Sequence, residues 1–156
     1  MKILVRAPNW VGDAVMAIPA LDGIRRARAT AEITILARPT VADLYRDQPF
    51  ANRILTYENS GRHKGWWGRE KLVGELGRER FDLAILLQNA FEAAWLAWRA
   101  GIPERVGYAR DGRGPLLTKP IRVPQGGNIP RHESHYYLEL IRGAGWIETR
   151  GVDPIR

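Results

Sequence analysis

Seven residues, Ala7-Pro8-Asn9-Trp10-Val11-Gly12-Asp13, separate an apolar run from the first helical pattern and end on a carboxylate. Asp13 has two readings. As an N-cap it accepts orphan backbone N–H bonds at a helix start; as a general base it takes a proton from a hydroxyl. The two compete, because N–H donors and the helix dipole keep a carboxylate ionised, whereas basicity benefits from a raised pKa. The segment holds one glycine and no G-x-G-x-x-G, so a dinucleotide fingerprint is absent. Free N–H groups at a helix start still attract an anion.

Three further places carry chemistry. In Arg62-His63-Lys64-Gly65-Trp66-Trp67-Gly68-Arg69 the cations Arg62 and Lys64 can pair with carboxylates or phosphates, while the indoles stack on a ligand, meet an interface or fold back onto the core. Asn89, in Gln88-Asn89-Ala90-Phe91, caps a helix or hydrogen-bonds a ligand. Arg113, between Asp111 and Gly114, is an anion contact or a solvated turn residue. His132 and His135 do not form an H-E-x-x-H pair and read as capping or surface groups, so metal catalysis is not expected. With no cysteine in the chain, thiolate nucleophiles, disulfides and cysteine zinc sites are excluded.

These residues need a scaffold, and the hydrophobic periods supply one. Lys2 to Arg6 reads as a strand; Ala14, Ala17, Ile18, Leu21 and Ile24 then mark an amphipathic helix, kinked by Pro19. Ile33–Leu36 is a second strand, Pro39–Arg46 a short helix, and Ile54–Tyr57 a third strand. A loop over Glu58–Gly68 leads to a helix over Arg69–Arg80, a buried strand Leu83–Leu87, and a helix over Ala90–Ala100 whose Trp95 and Trp98 read as packed between sheet and solvent. Arg105–Tyr108 is a fifth strand, Ala109–Lys119 a glycine-rich loop, and Glu133–Gly143 a last helix. Strands alternating with helices predict an α/β fold: a Rossmann-like parallel sheet with helices on both faces. In such sheets ligands gather beyond the carboxyl ends of the strands, where the candidate loops lie.

The bulk numbers agree with one globular core. The 156 residues are 45% hydrophobic and 26% charged, which excludes disorder and collagen. Of the 24 basic residues 20 are arginine, scattered along the chain; the net charge of +7 gives a general attraction for anions. No RRM, KH, helix-turn-helix or zinc pattern accompanies it, so a nucleic-acid partner is not expected. The apolar run at the start of the chain is too short for a signal h-region, no later run approaches 18 apolar residues, and the expectation is a soluble, cytoplasmic chain.

Three blocks in order, KILVRAPNWVGDAVMAIPAL, AILLQNAFEAAWLAWRAGIPERVGY and RGPLLT, resemble the ADP-heptose:lipopolysaccharide heptosyltransferases of glycosyltransferase family 9. The resemblance implies a GT-B enzyme in which residues 1–156 are the N-terminal acceptor-binding domain and the C-terminal nucleotide-sugar domain is absent from the chain. It implies heptose transfer from ADP-heptose to the lipopolysaccharide inner core with inversion, Asp13 as the base, and no cofactor or metal. Acceptor contacts carried over by position are Asn9, Trp10, Gly12, Arg62, Lys64, Asn89 and Arg113. The implied partner is a Kdo/heptose-lipid A acceptor, met at the cytoplasmic face of the inner membrane. Gln88 and Ala90 depart from the proline and serine common in the family at those positions. The alternative is a stand-alone α/β module that binds an anionic glycolipid without catalysis.

Overall fold

Successive side chains of a strand point to opposite sides, and here both sides are apolar. In the computed structural model, which describes residues 1–58, 61, 65–88, 91–109, 114–121 and 140–141, this produces a two-faced parallel sheet. The elements are β1 (Lys2–Arg6), α1 (Val11–Met16), α2 (Ile18–Ala27), β2 (Glu32–Ala37), α3 (Pro39–Tyr45), β3 (Arg53–Thr56), α4 (Gly65–Glu79), β4 (Leu83–Leu86), α5 (Phe91–Arg99), β5 (Glu104–Tyr108) and β6 (Lys119–Ile121). All the pairings are parallel, in the order β3-β2-β1-β4-β5-β6. The Rossmann-like α/β expectation holds.

Ile3, Val5, Ile33, Ile35 and Ile85 share one core with Ala14 of α1, Leu21 and Ile24 of α2, and Val41 of α3. Leu4, Leu36, Ala84 and Leu86 share the other with Leu72 and Leu76 of α4 and Ala94 and Leu96 of α5. Each fully buried aliphatic side chain contributes about 1.5–3 kcal/mol, so neither face could be left wet. Leu140 and Ile141 are helical and buried in the first core, and the rest of the expected last helix lies outside the described residues.

Three boundaries differ from the sequence reading. The kinked helix is two helices meeting at Ala17, whose N–H donates to the Asp13 carbonyl at 3.0 Å. Pro19 falls in the first turn of α2, where its missing donor would have had no partner. α4 starts at Gly65, so Trp66, Trp67 and Gly68 are helical and not loop. The expected glycine-rich loop over 109–119 holds a 3-10 turn at Gly114–Leu116, and β6 begins at Lys119. Arg105 and Thr118 anchor that strand: the Arg105 N–H donates to Thr118 Oγ1 at 2.6 Å, and Thr118 N–H to the Arg105 carbonyl at 3.0 Å.

Candidate active site at the carboxyl edge of the sheet

The chain walks from β1 outward to β3, then returns to place β4 on the other side of β1. That reversal opens a crevice between the loops after β1 and β4, the usual ligand position in an open parallel sheet. The loop carrying Asn9, Trp10, Gly12 and Asp13 therefore leaves the sheet at the switch point. Its base is tied down by backbone bonds: Ala7 N–H donates to the Leu36 carbonyl at 2.9 Å, and Leu87 N–H to the Arg6 carbonyl at 3.0 Å.

Asp13 is the third residue of α1, not its N-cap. Trp10 occupies the cap position in extended geometry and makes no side-chain cap bond. The carboxylate sits in the first turn, where the helix dipole favours a negative charge. It is half-buried, and among the described residues its oxygens have no hydrogen-bond or ion-pair partner. Trp10 is 70% exposed, and Val11 and Gly12 are also exposed, so the loop presents an open surface beside the carboxylate. A carboxylate on an open crevice, with no partner among the described residues, can align a hydroxyl and accept its proton.

Behind this loop stands a network that the sequence does not announce. Arg6 is 3% exposed. One guanidinium nitrogen donates to the Ala7 carbonyl at 2.8 Å, and the other to Asn9 Oδ1 at 2.8 Å. The guanidinium carbon lies 5.2 Å from the centroid of the Tyr57 ring. Burial pushes the Arg6 pKa down to about 10; Tyr57 and Glu92 oppose that shift, and Arg38 adds to it. Tyr57 donates its hydroxyl to Glu92 Oε1 at 2.5 Å, and Arg69 Nε faces Glu92 Oε2 at 2.9 Å. Burial and the bond to Glu92 raise the Tyr57 phenol, while the negative charge of Glu92 raises Arg69. Asn9, Arg6, Tyr57, Glu92 and Arg69 thus form a continuous chain from the loop after β1 to the N-terminal turns of α4 and α5.

Of the sequence candidates, the structure brings Asn9, Trp10, Gly12 and Asp13 together on one loop. Arg62, Lys64, Asn89 and Arg113 lie outside the described residues, as do His132 and His135. Trp98 is half-exposed rather than packed between layers, whereas Trp95 is partly buried against the second core. Arg6, Tyr57, Glu92 and Arg69 are the participants that sequence reasoning passed over. The available signal was a charge closing an otherwise apolar inner strand, since a parallel strand covered on both faces leaves a cation there little water.

A model of glycosyltransferase family 9 (heptosyltransferase) matches residues 69–129. Lipopolysaccharide heptosyltransferase 2 of Escherichia coli K12 is 32% identical over 123 residues, 79% of this chain and 35% of that protein. Lipooligosaccharide heptosyltransferase 2 of Haemophilus ducreyi is 30% identical over 119 residues, 76% of this chain and 34% of that one. The chain spans about a third of the length of these relatives. Among solved structures, the E. coli ADP-heptose lipopolysaccharide heptosyltransferase II matches 99% of the chain and 46% of its own length, with a TM-score of 0.77 and 28% identity. A family 9 glycosyltransferase from Veillonella parvula shares the fold, at a TM-score of 0.84 and 22% identity over 94% of this chain and 42% of its own. Together with the parallel sheet and the loop at its switch point, these likenesses make the chain similar to glycosyltransferase family 9 heptosyltransferases over most of its own length and about a third of theirs.

Proposed function

We propose that residues 1–156 are the N-terminal, acceptor-binding half of a GT-B heptosyltransferase that transfers heptose from ADP-heptose to the lipopolysaccharide inner core with inversion. The observation that carries the mechanism is Asp13, a carboxylate in a helix first turn at the switch point whose oxygens have no partner among the described residues. In the proposed step an acceptor hydroxyl oxygen attacks the anomeric carbon of the donor. The bond from that carbon to the phosphate oxygen breaks, ADP leaves with its electron pair, and Asp13 takes the hydroxyl proton. Asn9, Trp10 and Gly12 line the acceptor side; Arg62, Lys64, Asn89 and Arg113 complete the set carried over by position. The nucleotide sugar is bound mainly by a second domain, and the chemistry requires no cofactor from this one.

Contact with the cytoplasmic face of the inner membrane belongs to the same proposal. Trp10, Val11, Trp66, Trp67 and Phe91 are all exposed large apolar residues, and all follow β1, β3 or β4 at the carboxyl edge. An amphipathic indole is at home at a membrane interface. No helix among the described residues is long and apolar enough to cross a membrane.

The test joins these residues to a nucleotide-sugar domain of the family and follows heptose transfer to an inner-core acceptor. Asp13→Asn is expected to lower kcat by about 10²–10⁴-fold with donor KM nearly unchanged, the usual worth of a positioned base. Near-normal kcat in that variant would leave Asp13 as a dipole-compensating residue only, and no transfer by the unaltered protein would remove the proposed activity.

A further inference from the structure

α1 is six residues long, less than two turns and far below the length at which a helix holds itself in water. The position of Asp13 in its first turn is therefore set from outside the helix. The entry to α1 is tied by Arg6, which donates to Asn9 Oδ1 at 2.8 Å, but Trp10, Val11 and Gly12 beyond it are exposed. The exit is tied elsewhere. Where α1 gives way to α2, the cap N–H groups go to the Asp13 and Val15 carbonyls. The carbonyl between them, that of Ala14, accepts the Tyr45 hydroxyl at 2.6 Å.

That bond joins residues 31 apart in sequence, and both are fully buried. Tyr45 closes α3, and its ring stands edge-on to Phe50 at 5.5 Å within the first core, so the hydroxyl has little freedom to follow a moving partner. A hydroxyl shut away from water needs an acceptor, and many carbonyls would meet that need. This one adjoins the carboxylate proposed to take the proton. Without the hydroxyl a buried carbonyl is stripped of that donor, and a helix this short answers the loss by shifting or turning. A displacement of about 1 Å at a reacting group costs up to about 10²-fold in rate. We propose that Tyr45 is a positioning residue: through the Ala14 carbonyl it fixes the orientation of α1, and with it the direction in which the Asp13 carboxylate meets the acceptor hydroxyl. The inference rests on the reading of Asp13 as the base, and it assigns Tyr45 no contact with substrate.

The test is kinetic and uses the two-domain protein of the transfer assay, with Tyr45→Phe, Asp13→Asn and the double variant. Tyr45→Phe removes one oxygen and keeps the ring against Phe50, so the core stays filled. It is expected to lower kcat about tenfold with donor and acceptor KM nearly unchanged, because bound substrate then meets a misdirected base. In the Asp13→Asn protein, where no carboxylate remains to be aimed, the same change is expected to leave kcat as it was. A purely structural role would not produce that non-additivity. A kcat unchanged by Tyr45→Phe, a loss carried by KM instead, or the same tenfold loss in both backgrounds would each overturn the inference. The last of these would make the hydroxyl a support for the fold at large. The two readings fail separately: an inert Tyr45→Phe beside a crippled Asp13→Asn sinks only the role of Tyr45, whereas near-normal kcat in Asp13→Asn sinks the base and this inference with it.

Discussion

A guanidinium enclosed at the end of an inner strand must recover several kcal/mol of lost hydration from its contacts. Arg6 does so with a planar fork that a lysine could not supply: one nitrogen for the Ala7 carbonyl, one for Asn9, and a flat face over Tyr57. Its Nε has no partner among the described residues, so the arrangement is held by the two terminal nitrogens and the ring. Arg6→Met keeps most of the buried volume but strips the Ala7 carbonyl and Asn9 of their donor. The expected loss is about 1–3 kcal/mol, read as a lower urea midpoint at unchanged slope. Arg6→Lys should recover only part of it, because an ammonium cannot serve the same two acceptors in one plane. The linear sequence offers a single signal of this network, the Arg6 charge that closes an apolar run. Asp13 was legible as a chemical candidate, but the N-cap reading fails, because the helix starts at Val11, two residues before the carboxylate.

At the scale of elements, the amino ends of β1 and β3 are stapled to the far end of α4 by one carboxylate. Arg53 donates both guanidinium nitrogens to Glu79, at 2.9 and 3.0 Å, while Lys2 Nζ bonds the Glu79 side chain at 3.3 Å and its backbone carbonyl at 2.5 Å. Lys2 thereby also caps a helix C-terminus, where a cation is favoured. The hydrogen bonds from Arg53, ahead of those from Lys2, hold the Glu79 carboxyl below its usual pKa. A carboxyl lowered on folding contributes stability that is present above the unfolded pKa and is lost as pH falls through the folded one. Glu79→Gln should therefore cost about 0.5–1 kcal/mol at pH 7 and progressively less as the pH falls through the folded-state pKa of Glu79, measured by urea unfolding at neutral and at acid pH. Equal losses at the two pH values would assign the effect to packing rather than charge. The start of α4 was misread for a definable reason: Gly65, Gly68 and two indoles look like a loop, yet Gly68 is buried within the helix and Trp66 rests against Trp95 of α5. Likewise β6 is only three residues with a proline inside, and what makes it a strand is pairing with β5, a partner that local pattern cannot see.

For the whole molecule, alternating apolar strands were enough to give the α/β class and the two covered faces, but strand order is a long-range property. Only the order β3-β2-β1-β4-β5-β6 shows that the Asp13 loop stands at the reversal, with its crevice open to a ligand. The exposed Trp10 and the half-buried Asp13 both follow β1 at that carboxyl edge. A displacement at an anomeric carbon needs the acceptor oxygen and the departing phosphate aligned on opposite sides of that carbon, and in the function proposed above this edge supplies the acceptor side. The relatives, about three times as long, have sequence beyond the region matched by this chain. The isolated chain is therefore predicted to bind a Kdo-containing inner-core saccharide, detected by calorimetry, and to release no ADP from ADP-heptose in its presence. Measurable ADP release dependent on acceptor would place both sides of the reaction within these residues and overturn the two-half reading. Absence of saccharide binding would remove the acceptor assignment from this edge and leave a scaffold similar to family 9 whose ligand contacts lie elsewhere.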